Sequence, residues 1–137
     1  MNRLDFQQLS ELRLNEARLL LQAGFPDGAY YLAGYAVECA LKACIAKRTC
    51  EHDFPDKKLV NDSHTHDIGD LLKHARLNAE FDALTRVDPV MKSKLDTIEE
   101  WSESRRYQRN TRVDAESLLE AIEEGEGGLL PWIRQRW

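Results

Sequence analysis

One stretch constrains the fold of this chain more than any other. From Pro26 to about Arg48, residues Ala29, Leu32, Ala33, Ala36, Val37, Ala40, Leu41, Cys44 and Ile45 recur at steps of three and four. That apolar face is too broad for a helix lying on a surface. Most of its residues are small, so neighbouring helices can approach closely. A helix of this kind has to be surrounded, which predicts a bundle with this segment at its centre. Pro26 stands where a first helical turn begins, and Gly24 is placed to stop the helix before it.

The remaining patterns supply the surroundings. Phe6, Leu9, Leu12 or Arg13, Ala17, Leu20 and Leu21 predict a first helix over about 6–23. Residues 48–66 hold Pro55, several charges and little periodicity, and read as a long surface loop. A helix follows from near Asp67 with Ile68, Leu71, Leu72 and Ala75 inward, then a short turn at Phe81 and Leu84. Asp88-Pro89 opens another, whose inward positions are Val90 or Met91, Leu95, Ile98 and Trp101 and which runs to about Tyr107. The last begins near Asp114 with Leu118, Leu119 and Ile122, and Gly125, Gly127 and Gly128 interrupt it before Leu129, Trp132, Ile133 and Trp137. No segment alternates as a strand does, and seven Gly and four Pro in 137 residues are too few for a β-sandwich. The expected fold is all-α, an antiparallel up-and-down four-helix bundle with short additional helices, with residues 1–137 as one domain.

Charge and composition narrow the function. Nineteen basic against 24 acidic residues leave a net charge of −5, so the protein as a whole is not built to coat nucleic acid. Met1-Asn2-Arg3-Leu4-Asp5-Phe6 has no signal pattern, and no apolar run approaches the roughly 18 residues of a membrane span. Cys39, Cys44 and Cys50 are odd in number and lack zinc-like spacing. A reduced, cytoplasmic protein with no membrane attachment is expected.

Against that acidic background one basic segment stands out. Arg105, Arg106, Arg109 and Arg112 fall between Ser104 and Val113 with no acid among them. On a continuous helix, Arg105, Arg109 and Arg112 would share a face with Tyr107 beside them. Arginines so placed can grip phosphate oxygens and a tyrosine can stack on a base. The competing reading is a salt-bridged surface, because Glu99, Glu100 and Glu103 precede the segment and six acids from Asp114 to Glu126 follow it. Glu38 and Lys42, four apart amid apolar residues, are an ion pair orienting helices or a carboxylate poised for proton transfer. Cys50-x-His52 and His64-x-His66 carry metal-ligand chemistry at spacings that match no familiar zinc site, so His66 and Asp67 read as a helix cap and no metal or cofactor is expected. No Gly-x-Ser-x-Gly elbow, phosphate loop or His-Glu-x-x-His motif occurs. Trp101, Trp132 and Trp137 read as core or interface residues, and an apolar surface around Trp132 and Trp137 would suit a partner.

Residues 24–43, Gly-Phe-Pro-Asp-Gly-Ala-Tyr-Tyr-Leu-Ala-Gly-Tyr-Ala-Val-Glu-Cys-Ala-Leu-Lys-Ala, resemble the central segment of the HEPN domain family. His66 through Leu71-Leu72 is similar to that family's His-x-Leu-x-x-Leu-Leu stretch, Arg106-Tyr107 to its later Arg-Tyr element, and Trp132-Ile133 to its closing helix. The resemblance implies a four- or five-helix bundle that pairs as a homodimer. It also implies one of two roles. Some members are metal-independent ribonuclease toxins of toxin–antitoxin systems, using an Arg-x4-6-His motif at the dimer interface. Others lack the motif and bind nucleotides, RNA or a small nucleotidyltransferase. Here no histidine follows His74, Arg48 precedes His52 by one residue too few, and Gln108 stands where Pro commonly follows the Arg-Tyr pair. The sequence therefore points to a binding role at Arg105, Arg106, Tyr107, Arg109 and Arg112, with Glu38, Lys42 and His66 as neighbours and no catalytic residue. A ribonuclease recruiting His64 or His66, and a purely structural partner subunit, are the alternatives.

Overall fold

The structure, a computed structural model, describes residues 1–49, 54, 56–123 and 125–137. Its α-helices are α1 (Arg3–Gln22), α2 (Pro26–Lys47), α3 (Lys57–Asp62), α4 (Ile68–His74), α5 (Asn78–Val87), α6 (Pro89–Glu99), α7 (Arg112–Glu123) and α8 (Leu129–Arg134). Two 3-10 turns, Glu103–Tyr107 and Gly125–Gly127, join them, and no strand occurs among the described residues. The protein is all-α.

Helix boundaries follow local chemistry. Asn2 and Asp5 form a reciprocal capping box on α1, and Gly24 leaves the helix at φ +87°. Pro26 starts α2. Asp88 caps α6 through the Val90 and Met91 amides at 3.1 and 3.0 Å. The three-residue link between α1 and α2 makes them an antiparallel hairpin, their most extensive shared surface. Ser10, fully buried on α1, donates its hydroxyl to the Ala36 carbonyl at 2.7 Å, where the small residues of α2 let the backbones approach. α2 also packs against α4, α7, α8 and the first 3-10 turn. Ala33, Ala36, Val37, Ala40 and Leu41 on α2 have no exposed surface. Around them Leu14, Leu71, Phe81, Ile98, Leu118, Ile122, Leu130 and Ile133 fill the core. No helix among the described residues is long and apolar enough to cross a membrane.

Several expectations are corrected. The inward stripe of α1 runs through Ser10, Leu14 and Ala17, leaving Leu12 about half exposed, because burial is set chiefly by α2, with α7 adding to it. The stretch over 48–66 contains the short helix α3, started by the Asp56 carboxylate on the Lys58 amide at 2.9 Å. Phe81 and Leu84 belong to a ten-residue helix, not a turn. α6 stops at Glu99 instead of reaching Tyr107, because Trp101 folds inward to 2% exposure and the chain becomes extended at Ser102. α7 starts at Arg112, two residues early, since Thr111 and Asp114 cap it reciprocally at 2.9 and 3.1 Å. Cys50 and His52 lie outside the described residues. Trp132 and Trp137 turn against their own core: Trp132 packs edge-on to Phe81 (4.9 Å) under the Arg136 guanidinium (3.8 Å), and the Trp137 carbonyl accepts from Arg3 at 2.6 Å.

Candidate functional site

Along one face of α2 stand Tyr31, Tyr35, Glu38 and Lys42, at steps of four, three and four. The Tyr31 and Tyr35 rings lie parallel with centroids 6.3 Å apart, and Tyr31 stacks on Trp101 at 6.1 Å. Gly34 makes room for this, since a Cβ there would fall inside the Trp101 indole.

Glu38 is 1% exposed, yet its Oε1 accepts two hydrogen bonds, from Lys42 Nζ at 2.7 Å and from His66 Nδ1 at 2.9 Å. Two charged-group bonds to one oxygen offset much of the cost of burying a carboxylate. Oε2 is buried with no partner among the described residues. His66 precedes Asp67, whose carboxylate caps α4 through the Asp70 amide at 2.8 Å. The outer nitrogen of His66, Nε2, lies 3.2 Å from Glu103 Oε2, and Glu103 Oε1 lies 3.4 Å from Arg106 Nη1. The result is a continuous relay from the buried Glu38 through His66 and Glu103 to Arg106 at the surface.

The aromatic groups reach the same edge. Arg106 lies 4.8 Å from the Tyr107 ring, and Tyr107, with Glu103 and Tyr31 adding, holds its guanidinium proton more tightly than usual. Arg105 sits over the Tyr30 ring at 5.4 Å. Burial pushes the Tyr30 hydroxyl up, and the Arg105 charge opposes that. Arg109 is exposed, with no partner among the described residues. Arg112 is bound to Glu116 at 2.6 Å on α7.

The arginines therefore do not share one helical face. The 3-10 turn ends at Gln108, which is extended (φ −110°, ψ 156°), and the Asn110 amide is tied to Asp27 at the start of α2. Arg106, Lys42, Glu38 and His66 are brought together, Arg105 and Tyr107 flank them, and Arg112 is held apart in its own ion pair. Sequence reasoning passed over Glu103, Tyr30, Tyr31 and Tyr35. Glu103 reads as one acid in a block, but the Tyr31–Tyr35 spacing in line with Glu38 and Lys42 was a usable signal. Among the described residues, no cluster of His, Cys, Asp and Glu could hold a metal ion.

The two buried thiols of α2 are insulated. Burial pushes the Cys39 thiol up to about 12 and the Cys44 thiol up to about 11. Alkylation of the folded protein at pH 8, mapped by peptide mass spectrometry, is expected to leave both unmodified while denaturant exposes them. Unfolded cysteines ionise first as pH rises, so these two favour the fold fully below about pH 8.5 and lose that contribution progressively towards pH 12.

The chain is all-helical, with a buried carboxylate hydrogen-bonded to His66 and Arg106 and Tyr107 at the surface beside it. A family model, the HEPN domain, matches residues 7–124, and the chain belongs to that family. No curated protein and no solved structure matches it.

Proposed function

We propose that this protein binds a phosphate-bearing ligand, a nucleotide or single-stranded RNA, at the rim formed by Arg105, Arg106, Tyr107 and Arg109. The observation that carries this reading is the exposed guanidinium of Arg106, positioned by Glu103 and backed through His66 by the buried Glu38. Guanidinium groups bind phosphate oxygens in pairs, and the exposed Tyr107 ring offers a stacking surface for a base. Glu103 competes for Arg106, so phosphate has to displace it; His66 is then left facing the ligand. Arg112, paired with Glu116, contributes little. In a family that also forms homodimers and pairs with nucleotidyltransferases, a second copy or such an enzyme is the expected partner.

Titration of a fluorescent single-stranded RNA against the protein in EDTA tests the reading. Arg106→Ala is expected to weaken binding about tenfold and to lower the salt dependence by about one counterion. Equal affinity and equal salt slope in the variant would exclude this rim.

One observation favours a second reading, a ribonuclease with a non-standard site. Glu103 brings His66 and Arg106 onto the two oxygens of one carboxylate, so a proton-transfer group and a phosphate-binding group meet without the usual motif spacing. EDTA-resistant RNA cleavage, lost in both His66→Ala and Arg106→Ala, would establish it.

A further inference from the structure

A single carboxylate, that of Glu103, stands between His66 and Arg106. Its Oε2 lies 3.2 Å from His66 Nε2 and its Oε1 lies 3.4 Å from Arg106 Nη1. Both separations exceed the ~2.7–2.9 Å of a close charge-assisted hydrogen bond. The Glu103 side chain is 37% exposed and belongs to a 3-10 turn with no buried residue. It is a loose occupant, able to turn outward. The imidazole behind it is fixed, because His66 Nδ1 is held at 2.9 Å by the Glu38 carboxylate, which is 1% exposed.

What can replace the Glu103 carboxylate follows from its form. It carries one negative charge, offers two oxygens to two different groups and enters the site on one covalent link. A phosphate has oxygens set further apart than those of a carboxylate, which suits two contacts that are both long. Phosphates come in two kinds. An internal diester carries one charge, so exchanging it for Glu103 gains none, and it must leave the site by two links. A terminal monoester carries about −1.5 to −2 charges on three acceptor oxygens, and it leaves by one link, as Glu103 does. Its second ionisation, near pH ~6, also lets it give a proton as well as accept one. It can therefore pair with the outer imidazole nitrogen in either protonation state, whereas a diester can only accept.

Building on the binding rim at Arg106, we propose that the group taken up between His66 and Arg106 is a terminal phosphate monoester, that of a mononucleotide or of a phosphorylated RNA end. Glu103 is its built-in competitor. Binding exchanges the Glu103 carboxylate for the phosphate, and no covalent bond changes.

Calorimetric titration in EDTA with adenosine 5′-monophosphate, adenosine 3′-monophosphate and the 3′,5′-cyclic phosphate tests this, base and sugar being common to all three. At least one monoester is expected to bind about tenfold more tightly than the cyclic diester. Glu103→Gln keeps the size and removes the charge, so it should tighten monoester binding about threefold, the loss of one exposed ion pair, with the thermal midpoint unchanged. If Glu103 served only to aim Arg106, the same variant would bind more weakly, and that result would overturn the proposal. The His66 ring nitrogen resonances should shift saturably with the monoester and stay in place with adenosine; a shift of equal size with adenosine would also overturn it. A 5′-phosphorylated hexanucleotide that binds more tightly than the mononucleotide would assign the site to RNA ends, and equal or weaker binding would assign it to free nucleotides. Equal affinity for monoester and diester, both lost in Arg106→Ala, would remove this inference and leave the rim standing. Phosphate binding indifferent to Arg106→Ala would remove both.

Discussion

Gly34→Ala is expected to cost about 2–3 kcal/mol of folding stability, measured by urea denaturation, although Ala is the better helix former by ~1 kcal/mol. Gly34 is the point where Trp101 crosses α2, and an added Cβ would overlap the indole ring. The ring has nowhere to retreat, being 2% exposed and stacked by Tyr31. The cycle with Trp101→Leu isolates the clash: in that background Gly34→Ala should cost nothing or stabilise. Trp101→Leu alone should be strongly destabilising, since it empties a buried site. An unchanged urea midpoint for Gly34→Ala would refute this account of the crossing. Trp101 leads within two residues into the 3-10 turn of Glu103 and Arg106, so the same substitution should also weaken RNA binding.

The second large effect belongs to Glu38. Glu38→Ala should destabilise the fold by about 2–3 kcal/mol, below the ~3–5 kcal/mol of breaking a fully buried pair. The discount arises because Lys42 and His66 are 15% and 42% exposed and can recover some hydration. Glu38→Met, which fills the space and leaves both cations free to turn outward, should cost less than half as much. Comparable losses in the two variants would mean that the lost charge interactions, not packing, set the requirement at this position. In both variants His66 loses its inner anchor, and its ring resonances should report averaging of the imidazole orientation.

How much of this was legible beforehand depends on range. The α1–α2 hairpin, the Asp88 cap and the glycine stops are written locally, in a period and a few capping residues, and they read correctly. The extent of α6 did not. Residues 100–107 carry no helix breaker, and what ends the helix is Trp101 burying itself against a glycine 67 positions earlier, which no local pattern encodes. The arginines followed the same error, because their common face required a helix that the Trp101 turn removes. Glu38, Lys42 and His66 were legible as residue types, whereas the carboxylate linking them to Arg106 was not. Glu103 matters only because the 3-10 turn brings it opposite His66.

The segment carrying the arginines is a strap gauged against one helix. It is fixed through His66 to Glu38 and through the Asn110 amide to Asp27. Eleven residues of α2 separate those anchors, roughly 16 Å of helix axis. The seven residue-to-residue steps from Glu103 to Asn110 could span about 24 Å if drawn straight, and the excess is wound into the 3-10 turn that presents Arg106. The spacing of the rim is therefore a length measured along α2. Insertion or deletion of a single residue between Glu103 and Asn110 therefore changes how the arginines are aimed.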